Sequence, residues 1–137
     1  MTRMDSLESR ISSVEEELTL AGDWNDRYRL MVEWGEADDP LPDAECLPEF
    51  HVFGCTSPLW LRVRRVGGIV EIRGASPGIL PRALVALVRR VFDGLEVVES
   101  PDPGLLDRLD LRRHLSFTRV LVLEKLLERV TLGDNCR

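Results

Sequence analysis

Positive charge is in deficit in this sequence: 18 Lys and Arg stand against 24 Asp and Glu, for a net charge of −6. Non-specific binding to nucleic acid needs a basic face, so that class of function is not expected. Long apolar runs are missing as well, and none approaches the roughly 18 residues of a membrane-spanning helix. Near the amino end, Glu15, Glu16 and Glu17 stand where a secretory leader would need an apolar segment. No leader is therefore expected, and the cytoplasm is the expected compartment. Cysteine is scarce, with Cys46, Cys55 and Cys136 alone. An odd number of thiols in a chain without a leader does not make a disulfide framework, and free thiols persist in that compartment. Zinc modules carry tightly spaced ligand pairs, and Cys46, His51, Cys55 and Cys136 show no such spacing. Walker-type phosphate loops, Gly-x-Ser-x-Gly elbows and zincin motifs are absent too.

What is present is a globular composition, 44% hydrophobic and 31% charged over 137 residues. That length supports one domain, 1–137, with a core that needs no metal or disulfide. Leu7, Ile11, Val14 and Leu18 recur at helical spacing and predict an amphipathic first helix over 6–20. Gly22-Asp23 supplies a break and a cap, and Trp24, Tyr28, Leu30, Met31 and Trp34 predict a second helix that stops at Gly35. Trp24 and Tyr28 read as core packing. Residues 36–50, acidic and holding three prolines, read as an extended connector with no regular element.

The connector leads into a first strand at His51-Val52-Phe53, broken by Gly54-Cys55-Thr56-Ser57-Pro58. Leu59 to Val66 and Ile69 to Arg73 flank Gly67-Gly68, a two-residue hairpin turn. That turn pairs Val66 with Ile69, Arg64 with Glu71 and Val63 with Ile72. It sends Leu61, Val63, Val70 and Ile72 to a covered face and Arg62, Arg64, Glu71 and Arg73 to the wet one. Leu80, Ala83, Leu84, Leu87, Val88 and Val91 predict a buried helix starting near Pro81 and ending at Asp93-Gly94. Residues 95–113, with Pro101 and Pro103, predict one or two short helices. A last helix opens near Ser116 and runs through Val120, Leu123, Leu126, Leu127 and Val130 to Gly133. Strands grouped together between helices indicate an α+β fold, a three-stranded antiparallel sheet with helices packed against it, rather than a doubly wound parallel sheet.

Cys55 is the residue with chemistry to offer. Flanked by Gly54, Thr56, Ser57 and Pro58, it sits at a loop tip where a thiolate can meet another molecule; the alternative is an inert loop cysteine. The apolar Phe53, Pro58 and Leu59 beside it are candidates for a partner surface. His51 reads as a strand-edge histidine rather than a base toward Cys55. A Cys-His hydrolase would need His51 or His114 beside Cys55 and a substrate cleft, and the sequence shows no such constellation. Cys46, in the acidic connector, and Cys136, in the last few residues, read as dispensable.

Four stretches resemble one family. Val52-x-Gly54-Cys55-x-Ser57-x-x-Trp60 is similar to the active-cysteine segment of the SufE family. Asp23-Trp24 with Arg27-Tyr28 resembles its Trp-x-x-(Arg/Lys)-Tyr helix, Ile69 to Gly74 its third strand, and His114-Leu115-Ser116-x-Thr118-Arg119 the opening of its last helix. They fall in the family's order from about residue 23 to about residue 130. The resemblance implies the fold shared by SufE proteins and IscU scaffolds. It also implies a sulfur acceptor that activates a SufS-like cysteine desulfurase, carrying a persulfide on Cys55 and passing it to a downstream iron–sulfur scaffold. Such a protein is an accessory carrier rather than an enzyme. It has no cofactor of its own, the pyridoxal phosphate being the desulfurase's, and Arg119 matches an arginine with a packing or docking role near the loop. The other reading is an IscU-like protein that holds an iron–sulfur cluster or zinc itself, which needs three or four ligands where only Cys55 matches. Departures from the family's pattern are Phe50, Thr56 and Pro58 around the cysteine, Gly74-Ala75-Ser76-Pro77 in place of an acidic turn, and Phe117 in place of a proline.

Overall fold

A computed structural model describes residues 6–54, 57–96 and 104–132. Expectations that fall on Cys55, Thr56, Pro101, Pro103, Gly133 and Cys136 lie outside the described residues. Among the described residues, five α-helices and a hairpin follow in order: α1 Leu7–Ala21, α2 Trp24–Ala37, β1 Trp60–Val66, β2 Ile69–Ala75, α3 Ile79–Phe92, α4 Leu105–Arg108 and α5 Phe117–Leu132. The architecture is α+β, with α3 at its centre, packed against α1, α2, β2 and α5.

Local capping sets the first two helices. Ser6 Oγ accepts from the Ser9 amide at 3.0 Å while Ser9 Oγ accepts from the Ser6 amide at 3.1 Å. Asp23 and Asp26 repeat the arrangement at the start of α2. The stripe of α1 is buried at Ile11, Val14 and Leu18 as its spacing requires. The expected stop at Gly35 is not taken: α2 runs on to Ala37, and the Asp38 amide donates to Trp34 O. Gly35 serves close packing instead, since a Cβ there would lie 2.9 Å from the carbonyl carbon of Arg82 in α3. Helix α3 begins two residues before Pro81, whose missing N–H falls in the first turn where no intrahelical partner exists. Nine of its residues are buried, among them Leu84, Leu87, Val88 and Phe92. At about 1.5–3 kcal/mol for each large side chain buried, this helix is the main apolar contribution to the core.

The hairpin has the register read from its turn, with Val66 opposite Ile69, Arg64 opposite Glu71 and Val63 opposite Ile72. Gly67 and Gly68 take φ of 60° and 84°, the positive values that a turn of this hand requires at both central positions. Leu61, Val63, Val70 and Ile72 are buried as expected. Arg62 is not on the wet face: it is only 5% exposed. The connector, which holds two 3-10 turns at Asp43–Glu45 and Pro48–Phe50 rather than no regular element, lays Glu45 over it. Arg62 is thus ion-paired to both Glu45 and Glu71.

The sheet has two strands among the described residues, not three. His51–Phe53 makes a single bridge, His51 with Trp60, and the Val52 amide donates to Leu59 O at 2.8 Å. Two causes keep it short. Pro58 has no N–H to give a ladder, and the carbonyls of Phe50, His51 and Phe53 are taken by side chains of α5. The far edge of β2 is closed by the turn after α3, where Asp93 Oδ1 accepts from the Ile72 amide at 2.7 Å and the Val70 amide donates to Leu95 O at 2.8 Å. Hydrogen-bonded in this way, the edge is not open for another strand.

Candidate functional site

The two described ends of the Cys55 loop rest on different helices. At one end Gly54 takes φ of 98°, and a Cβ on it would lie 2.7 Å from Lys125 Nζ of α5. The positive φ favours glycine there, and the missing side chain leaves room for the ammonium. At the other end Ser57 packs on Gly78, the residue that caps α3; a Cβ on Gly78 would lie 2.7 Å from Ser57 Oγ. The chain therefore leaves one helix at Gly54 and meets another at Ser57, with Cys55 and Thr56 between.

At the Ser57 end lies an open cleft of about 700 Å³, walled by Ser57, Pro77, Ile79, Leu84, Ser116, Arg119 and Val122. Ser116 caps α5 by accepting from the Arg119 amide at 3.3 Å, which turns the Arg119 side chain toward α2, where Nη1 donates to the Tyr28 hydroxyl at 3.2 Å. Trp24 and Tyr28 pack against the core while remaining partly open, and Trp24 stacks on His114 with ring centroids 4.3 Å apart. His114 is also paired with Asp110 at 3.3 Å. Three large apolar side chains stand out near the loop and cleft: Phe53 is 70% exposed, Ile79 63% and Phe117 78%.

Of the sequence candidates, the fold brings Arg119 to the cleft that Ser57 also lines and leaves Phe53 and Pro58 exposed. Leu59 is corrected: it is 0% exposed, part of the core beneath the loop, and has no surface to offer a partner. The alternation of strand β1 decides this, because Leu59 shares the inward face with Leu61 and Val63. The His51 ring lies edge-on to Phe53 and to Trp60, at centroid distances of 4.5 and 5.8 Å, as an aromatic packing residue. Cys46 is half-buried with Sγ 3.5 Å from Pro42 O, and burial, reinforced by Asp43 and Glu45, pushes its thiol above the ordinary cysteine value. The thiolate, which is the nucleophile, is thereby disfavoured at neutral pH.

Lys125 and Arg129 escaped the sequence reading. Lys125 Nζ donates to Phe53 O at 2.7 Å, and Arg129 donates to Phe50 O and His51 O at 3.1 and 2.5 Å. Desolvation lowers the Arg129 pKa from its ordinary value, with Glu128 opposing. The only signal in the sequence is two cations four places apart on the last helix, and that spacing by itself says nothing of what they hold. Among the described residues no three His, Cys, Asp or Glu side chains gather as metal ligands, and no helix is long and apolar enough to cross a membrane.

Comparison with known proteins agrees with this architecture. Over 127 residues the chain is 28% identical to an uncharacterized SufE-like protein of Rhizobium meliloti, covering 88% of this chain and 91% of that one. It is also 28% identical to an uncharacterized SufE-like protein of Rhizobium etli, over 88% and 86% of the two chains. The solution structure of a hypothetical protein from Thermus thermophilus superposes with a TM-score of 0.74 at 21% identity, covering 90% of this chain and 91% of that chain, which establishes the fold. Residues 12–132 match the SufE family as a whole, described as the Fe-S metabolism associated domain. The stretch matched runs from the middle of α1 to the last turn of α5 and includes the cysteine loop with both of its anchors, so the chain belongs to the SufE family.

Proposed function

We propose that this protein accepts sulfur on Cys55 from the active-site persulfide of a cysteine desulfurase, raises that enzyme's turnover, and hands the sulfur on for iron–sulfur cluster assembly. The observation that carries this reading is the pair of anchors at Gly54 and Ser57: they brace a cysteine loop against two helices beside an open cleft. The chemistry asks little else of the protein. The Cys55 thiolate attacks the outer sulfur of the partner's Cys–S–SH group, the partner's S–S bond breaks, and its thiolate leaves as a new Cys55–S–SH forms. The proton lost by Cys55 balances the one the partner's cysteine regains, and no oxidant or reductant is consumed. Rate then depends on thiolate fraction and access, which a braced loop favours. Pyridoxal phosphate, which frees sulfur from cysteine, belongs to the desulfurase.

Incubation with a desulfurase and cysteine is expected to add one or more sulfur atoms to the intact mass, removable by reductant, with peptide mapping locating them on Cys55. Sulfur found on Cys46 or Cys136 instead would sink the assignment.

Phe53 is the residue expected to meet the partner. A large apolar side chain this exposed beside a reactive loop is poorly explained by the folded monomer alone. Phe53→Asp is expected to weaken desulfurase binding about tenfold or more, the size of a modest hot spot, while the circular dichroism spectrum stays the same. Titration calorimetry showing equal affinity for both proteins would move the docking surface elsewhere.

A further inference from the structure

The segment before Cys55 meets its strand neighbour through a single bridge, His51 with Trp60, rather than a ladder. Its Val52 amide reaches Leu59 O, but the carbonyls of Phe50, His51 and Phe53 face α5. Two cations one helical turn apart meet all three. Arg129 spans two carbonyls with its two terminal nitrogens, at 3.1 Å to Phe50 O and 2.5 Å to His51 O. Lys125, the only lysine in the chain, takes Phe53 O at 2.7 Å and closes over Gly54, whose missing side chain leaves room for the ammonium. Hydrogen bonds from a charged donor are shorter and about twice as strong as neutral ones. Three of them along this short segment replace the ladder that a third strand would have formed. Their last contact is one peptide unit from Cys55.

We infer that Lys125 and Arg129 are positioning residues for Cys55, acting through the main-chain carbonyls of the segment before it. The inference rests on Cys55 as the sulfur acceptor. Its physical content is preorganisation: a segment gripped at residues 50, 51 and 53 fixes the direction in which the next residues leave the fold. The segment up to Gly54 then need not be ordered when a partner binds, a cost that otherwise appears as weaker coupling to the partner. Lys125 suits this use because its long stem reaches from α5 to Phe53 O and its ammonium offers three donors to a single point. Arginine at the same position keeps a charged donor, whereas methionine keeps the stem and loses the donor.

The test compares the parent with Lys125→Met and Lys125→Arg, and adds Arg129→Lys as the milder change at the half-buried position. Hydrogen exchange of the Val52 amide, followed by NMR without any partner, reports whether the segment is held. It is expected to speed up about tenfold in Lys125→Met, with the amides of α5 and the melting temperature unchanged, and to return to the parent rate in Lys125→Arg. In desulfurase titrations, Lys125→Met is expected to need about tenfold more protein for half-maximal stimulation while reaching the same maximum, and Lys125→Arg to behave as the parent. Arg129→Lys, which keeps one donor group for two carbonyls, is expected to fall between. Unchanged Val52 exchange in Lys125→Met overturns the inference, as does an arginine variant no better than the methionine one, because stem packing rather than the donor would then matter. A parent that takes up no sulfur while its exchange responds as described overturns the acceptor reading and leaves the grip on the segment established.

Discussion

Cys55→Ser is expected to abolish both the sulfur gain and the stimulation of desulfurase turnover while leaving the fold in place. A hydroxyl does not ionise near neutral pH and cannot open a persulfide, so the loss is complete rather than partial. The described core draws on all five helices and the hairpin, and the residues flanking the loop join it through Val52, Leu59 and the hydrogen bond between them, none of which the substitution alters. A thiol-to-hydroxyl change at a loop position costs within about 0.5 kcal/mol. Far-ultraviolet circular dichroism and thermal melting check the fold, and intact mass and alanine production by the desulfurase check the function. A serine variant that stimulates as well as the parent would show that this protein acts on the desulfurase by binding alone.

The largest effect on stability is expected at Gly35. Helices α2 and α3 approach so closely there that a Cβ would stand 2.9 Å from Arg82 C and 3.0 Å from Ala83 N, both main-chain atoms that cannot rotate aside. Gly35→Val must push the helices apart, unseating Met31 and Trp34 from the core they share with Ala83 and Leu84. Overpacking against side chains costs about 1–3 kcal/mol. Against backbone the upper end or more is expected, which lowers the melting temperature by about 10 °C for a chain of this size. Gly67→Asn is the matched control. A Cβ added at Gly67 would have no atom within 4 Å, and asparagine tolerates the positive φ there, so melting is expected to stay within a few degrees. Equal melting of the two variants would show that α2 and α3 have room to spare. Because α3 is also capped by Gly78, on which Ser57 rests, Gly35→Val is expected to slow sulfur transfer as well as to destabilise the fold.

Much of the architecture is readable from neighbours along the chain. A helix needs only the residues three and four places away to show its apolar stripe, and the caps at Ser6, Asp23 and Ser116 act within three residues. The same locality explains the hairpin, where two glycines at the turn dictate every pair from Val66–Ile69 to Trp60–Ala75. The family resemblance likewise follows from short segments in order. By itself, then, the sequence determined the α+β class, the helices and the hairpin register. Tertiary structure decided what those elements press upon: that Arg62 is buried under Glu45, that Gly35 is a packing contact rather than a stop, that Leu59 lies in the core, and that the first strand is a single bridge. It also decided that Lys125 and Arg129 hold the segment before Cys55. The physical reason is distance along the chain. The bonds from Lys125 and Arg129 join residues 72 to 79 places apart, and no propensity or period within one element carries information over that separation.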